Sequence, residues 1–204
     1  MLIKPPTWFK NPIINNMISL FRTAVNNSTY ANASADLMQQ SFCYCIGTSS
    51  SPFFNGAFVS NIYDKIKLQY FPDIINYFSH KKLPFILWLA SNSPISDVNN
   101  KQLMQFGFLP QPANLGIEIN IDDINYFDMP RKIKIKEVAF DSEYQQFINI
   151  FKEVFQMTDA AILDFSSVYK SYGADNKLRH YLGYYDDEPV AILTGYLCDS
   201  VMGL

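Results

Sequence analysis

"RHYLGYYDDEPVAILTGYLCDSVMGL", residues 179–204, is the stretch whose reading decides the fold. Two apolar-rich runs flank Asp186-Asp187, the turn chemistry of a β-hairpin. A third strand begins at "VMGL", and Leu204 falls inside it. A last strand left unpaired exposes a row of backbone donors and acceptors. That edge is expected to be paired, by the N-terminal part of the chain or by a second copy in a homodimer.

Upstream, the same half of the chain supplies the elements that such a hairpin needs. "KIKIKEV" alternates as a half-exposed strand does. "DSEYQQFINIFKEVF" is an amphipathic helix, with Asp141 or Ser142 as cap and Phe147, Ile148, Phe151, Val154 and Phe155 inward. "DFSSVYKSYG" predicts a second short helix ending at Gly173, which leaves "FQMTDAAILDF" as the loop between the two.

The first half reads differently. Pro12 opens a helix whose apolar residues run from Ile13 to Val25 at helical spacing. A weaker helix is predicted through "YANASADLMQQ". "SFCYCIG" and "FNGAFVS" are strands, with Asn55-Gly56 as punctuation. "FPDIINYFSHKK" is helical, with lysines in its last turn. "LPFILWLAS" is an unbroken apolar run of strand length, as in a strand buried on both faces. "DVNNKQLMQFGF" is a short helix stopped by Gly107, and "NLGIEINI" is a closing strand. The polar, turn-prone "DDINYFDMPR" separates the halves, giving domains at 1–125 and 126–204.

The 204 residues are 49% hydrophobic and only 17% charged, so a sizeable core is expected rather than disorder. A net charge of -3 argues against nucleic acid as a partner. No apolar run approaches a membrane span, and Pro and Asn interrupt the N-terminus where a signal peptide would be apolar. Three cysteines fit a reduced, cytoplasmic setting. Cys43 and Cys45 share one face of a strand, but with no second ligand pair no metal site is expected. His80, in the last turn of a helix, and His180, in a strand beside Arg179, are read as structural. Lys65 and Lys67 are read as exposed turn lysines, and the aromatic surplus as core.

The order strand, helix, helix, strand, turn, strand, together with "YLGYYDDEPVAILTGYL", resembles the opening of a GNAT N-acetyltransferase domain. In that family "GYYDDEPVA" would be the hairpin of the second and third strands, and "VMGL" would begin the fourth. The first half is similar to the closing part of the same fold, from "FNGAFVS" through "LGIEINI". The resemblance therefore implies an α+β fold, a GNAT-like mixed sheet flanked by helices, in two related parts. The N-terminal copy would be divergent. The second would be truncated before the acetyl-CoA pyrophosphate loop.

The resemblance also implies a chemistry: acetyl transfer from acetyl-CoA to an amine acceptor. A neutral amine attacks the thioester, a base takes its proton, and a strand amide polarises the carbonyl. The family holds the cofactor's pyrophosphate on backbone N–H groups in a loop of the form Arg/Gln-x-x-Gly-x-Gly/Ala at a helix start. Here the matching stretch is "NIYDKIKLQYFPD", residues 61–73, which has no glycine. It carries the anion Asp64, and Pro72 has no N–H to offer. No cofactor is therefore expected on this chain, although a complete family member would take acetyl-CoA. By the same resemblance, Phe155, Met157, Asp159, Tyr169 and Tyr196 map to the acceptor groove. No catalytic residue is matched. The expectation is an inactive chain, with a non-catalytic interaction module using the aromatic groove or the open sheet edge as the alternative.

Overall fold

In the computed structural model, Ser41–Cys45 forms strand β2, buried at every position. The structure describes residues 12–38, 41–47, 54–60, 70–90, 97–111, 119–124, 128–169, 177–198 and 201–203. The chain divides into two compact units, Met1–Gly116 and Ile117–Leu204.

In the first unit β2 lies between β1 (Ser34–Met38) and β3 (Asn55–Ser60), antiparallel to both, and β4 (Ile86–Ala90) runs parallel to β3. Alternation splits β2 between two cores. Phe42 and Tyr44 face α1 (Pro12–Asn27), where the Phe21 ring stacks on Tyr44 at 4.1 Å. Trp88 of β4 donates its indole N–H to the Tyr44 hydroxyl at 3.0 Å. On the other side Cys43, Ala57 and Val59 join Phe71, Ile74 and Phe78 of α2 (Phe71–Lys81) and Leu103 of α3 (Asp97–Gln105). Each large side chain buried in this way stabilises by about 1.5–3 kcal/mol. Helices thus cover both faces of the sheet, and β4, half-buried, meets apolar neighbours on each. The closing strand expected beside β4 falls mostly on residues 112–118, outside those described, and Ile121–Asp123 is a 3-10 turn rather than strand.

Two local readings are corrected. Residues 34–38, expected as helix, are strand β1. Ladder bonds to all of β2 and the contact of the Ser34 hydroxyl with the Tyr77 hydroxyl, at 2.5 Å, override a weak helical pattern. Asn55-Gly56, read as punctuation, lies inside β3. Gly56 is required there by packing, since a Cβ would sit 2.6 Å from the Tyr44 hydroxyl oxygen.

The second unit is an antiparallel sheet in the order β5-β6-β7-β8, formed by Ile133–Glu137, Leu178–Tyr185, Glu188–Cys198 and Val201–Gly203. "VMG" is a strand, β8, paired with β7 on one side, and it ends the strand order among the described residues, with no N-terminal strand on its outer edge. Helices α4 (Asp141–Val154) and α5 (Asp159–Tyr169) lie on one face, over Leu178, His180, Leu182 and Tyr196. The cap of α4 is not Asp141 or Ser142. Phe140 occupies the cap position, and the Glu143 carboxylate accepts the Ala139 and Phe140 N–H groups at 2.8 and 3.2 Å. Glu143 also pairs with Lys136, which ties α4 to β5. The Lys136 ammonium, then the Ala139 amide, hold its carboxyl below the usual range. Strand β5 is not half-exposed as its alternation suggests. All five of its residues are exposed.

The hairpin turn carries positive φ at Asp186 (48°) and Asp187 (71°), the geometry that glycine favours. Lys132 and Lys134 pair with these aspartates at 2.8 and 2.5 Å. Exposed pairs contribute about 0–1 kcal/mol, while a left-handed non-glycine residue costs about 1–2 kcal/mol, less for Asp. Asp187→Gly is therefore expected to raise stability by about 0.5 kcal/mol in urea denaturation. A loss of about 1 kcal/mol would mean that the Lys134 pair outweighs the backbone strain.

Candidate functional site

The connection between α4 and α5 brings together three of the five groove residues. Gln156 takes a positive φ of 50°, and the Met157 N–H returns to the Lys152 carbonyl at 3.0 Å, closing the end of α4. Thr158 then caps α5, its hydroxyl accepting the Ala161 N–H at 3.2 Å. Residues 159–165, read as loop, are therefore helix. Phe155 is 52% exposed, and Met157 is half-buried beside it in sequence. Asp159 is exposed and bound to Lys152 at 2.6 Å, and that lysine holds its carboxyl low.

Tyr169 and Tyr196 are not on that surface. Both are buried, Tyr169 at the end of α5 and Tyr196 on the covered face of β7. A run of rings nevertheless joins Tyr169 to the exposed group. Phe155 meets Phe151 at 5.0 Å, Phe151 meets Phe165 at 4.4 Å, and Phe165 meets Tyr169 at 4.4 Å. The site has an exposed aromatic mouth and a buried aromatic floor.

The floor includes His180, which is 8% exposed. Phe147 lies 4.6 Å from its ring, with Tyr144 and Phe165 at 6.1 Å. Its Nδ1 lies 2.8 Å from the Thr194 hydroxyl on the paired strand. Its Nε2 makes no hydrogen bond of normal geometry, and the Tyr169 carbonyl offsets only part of the cost of burial. Burial pushes the imidazole pKa down to about 4. His180 is therefore neutral at pH 7 and sits under the helices, fitting a structural role. The partner that sequence reading missed, Thr194, is fourteen residues away and is found only through hairpin register. Among the described residues of this region, none joins surface access to the shifted pKa of a general base.

The stretch matched to the cofactor loop lies partly outside the described residues: Asp64, Lys65 and Lys67 fall in 61–69. What is described does not fit a pyrophosphate. Helix α2 begins at a fully buried Phe71 with Pro72 in its first turn. Beside it, β3 is paired on both edges, with β2 over Asn55–Val59 and with β4 over Gly56–Ser60. Its amides are thereby engaged in ladders rather than free for a thioester carbonyl. Asn55, at the start of β3, is fully buried with neither side-chain polar atom bonded, a cost of about 1–3 kcal/mol. The thiol of Cys43 is pushed up to about 12 by burial, so it is inert. Among the described residues no helix is long and apolar enough to cross a membrane.

No family model matches the sequence, and no curated protein matches it. Among solved structures it is similar to a GCN5-related N-acetyltransferase from Kribbella flavida. That match has 13% identity and a TM-score of 0.56, and covers 91% of this chain and 68% of the other. The likeness shows the fold: the chain is α+β and GNAT-like, with two four-stranded sheets flanked by helices among the described residues.

Proposed function

We propose that this chain is a divergent tandem GNAT-like protein, divided near residues 122–131, whose 204 residues lack a working acetyl-CoA site. The observation that carries the reading is the pairing of β3 on both edges beside a helix that starts at Phe71-Pro72. A cofactor bearing several negative phosphate charges needs ordered N–H donors and close backbone approach. Residues 61–73 hold no glycine to permit that approach, and Pro72 has no N–H to donate. The protein works in the cytoplasm, on neither nucleic acid nor membrane, and an acceptor amine would meet the aromatic mouth at Phe155, Met157 and Asp159.

Isothermal titration of the purified chain with acetyl-CoA tests this. The expected result is binding weaker than about 1 mM, or -4 kcal/mol, and no release of free thiol with amine acceptors. A low-micromolar constant would restore the enzyme reading and direct attention to Tyr63–Asp73. A second reading, an interaction module, is favoured by the uncovered sheet face of the second unit.

A further inference from the structure

The face of the second sheet opposite α4 and α5 carries no helix among the described residues. Register places Ile133, Ile135, Tyr185, Leu193, Leu197 and Met202 on it together. All six are exposed, Ile135 at 59% and Leu193 at 43%. Strands of five, eight, eleven and three residues, at about 3.3 Å per residue and about 4.8 Å apart, give a face of about 430 Å². That is the size of the largest apolar patch on a typical monomer.

We propose that this face is the seat of a homodimer, in which two copies pack sheet on sheet. Three observations select a second copy. The face carries the acid Glu137 and the base Arg179 within 3.4 Å of each other, both about half exposed, and at its rim the acid Glu188, opposite Tyr185, with the Lys132 ammonium 5.5 Å over the Tyr185 ring. A patch with balanced charge on an apolar ground is complementary to itself under a two-fold axis, as an isologous interface requires. Two such faces bury about 860 Å², the size of a weak, concentration-dependent interface. A bare sheet packs naturally on another bare sheet about 10 Å away. Among the described residues the first unit offers none, since helices cover both faces of its sheet. Gly183 and Ala191, adjacent in the centre of the face, leave room for side chains of the other copy to interdigitate. The contact thus differs from pairing at the β8 edge, which would leave β5 untouched.

Sedimentation velocity of the 204-residue chain, from low to high micromolar concentration, is the test. The expected result is a monomer–dimer equilibrium that Ile135→Glu and Leu193→Glu each weaken at least about tenfold, with circular dichroism unchanged. Ile135 is exposed and three strands from β8, so its substitution tests the face even if Leu193→Glu fails to fold. A monomer at every concentration would overturn the proposal. So would a dimer indifferent to Ile135→Glu, which would place the contact at the β8 edge.

Discussion

Lowering the pH from 6.5 to about 4 is expected to remove about 3 kcal/mol of stability from the second unit through His180 alone. The folded imidazole is held near 4 by burial, against 6.5 when unfolded. Between those values the unfolded chain binds a proton that the folded one refuses, so stability is full above 6.5 and falls as pH drops. A tenfold difference in proton affinity between the two states corresponds to about 1.4 kcal/mol. No charge near His180 reverses this. Tyr144, from α4, and Tyr169, from α5, are buried phenols whose pKa is raised, so both stay neutral. Lys136 of β5 is already paired with Glu143. Thr194, from β7, is uncharged. The carboxylates with lowered pKa, Glu143 and Asp159, add their own acid loss, but only below the ordinary carboxylate range. The window from 6.5 to 5 therefore belongs to His180 and is worth about 2 kcal/mol. Urea midpoints across that window should slope in the native protein and flatten in His180→Phe. A slope that survives the substitution would assign the acid loss elsewhere.

That histidine also shows where sequence reading stops. Local patterns sufficed for the hairpin, because Asp186-Asp187 between alternating runs has few other solutions, and for α2 and α4, whose apolar spacing is strong. They failed at residues 34–38, where the ladder to β2 decides, and at 159–165, where Thr158 caps a helix that looked like a loop. Asp141 and Ser142 looked like caps by type. Glu143 takes that role instead, because it can reach the two preceding amides and Lys136 at once. The candidate groove was half legible. Phe155, Met157 and Asp159 are neighbours in sequence and surface together. Tyr169 and Tyr196 are buried by the docking of α5 and the register of β7, which no local window contains. The bare face was hidden for the same reason. Ile133 and Ile135 alternate with lysines as if one side were buried, and only the sheet reveals that neither side is.

Phe147→Ala should be the most damaging single change in the second unit, costing about 3–5 kcal/mol. Phe147 is 1% exposed and touches Tyr144, Phe151, Phe165 and His180, so one ring joins α4, α5 and β6. Removing it leaves a cavity that the surrounding rigid rings cannot easily fill, and unseats the group that keeps His180 desolvated. The pH window should therefore shrink in the same variant, as the imidazole regains water and its folded pKa rises toward 6.5. Phe155→Ala, at the exposed end of the same ring run, should cost less than about 1 kcal/mol, because half of that ring is already in water. Chemical denaturation of the two variants, at pH 7 and at pH 5, separates floor from mouth. If Phe155→Ala proved the costlier of the two, the helix pair would be anchored at its outer end, and the aromatic mouth would be a structural clamp rather than a surface free to meet a ligand.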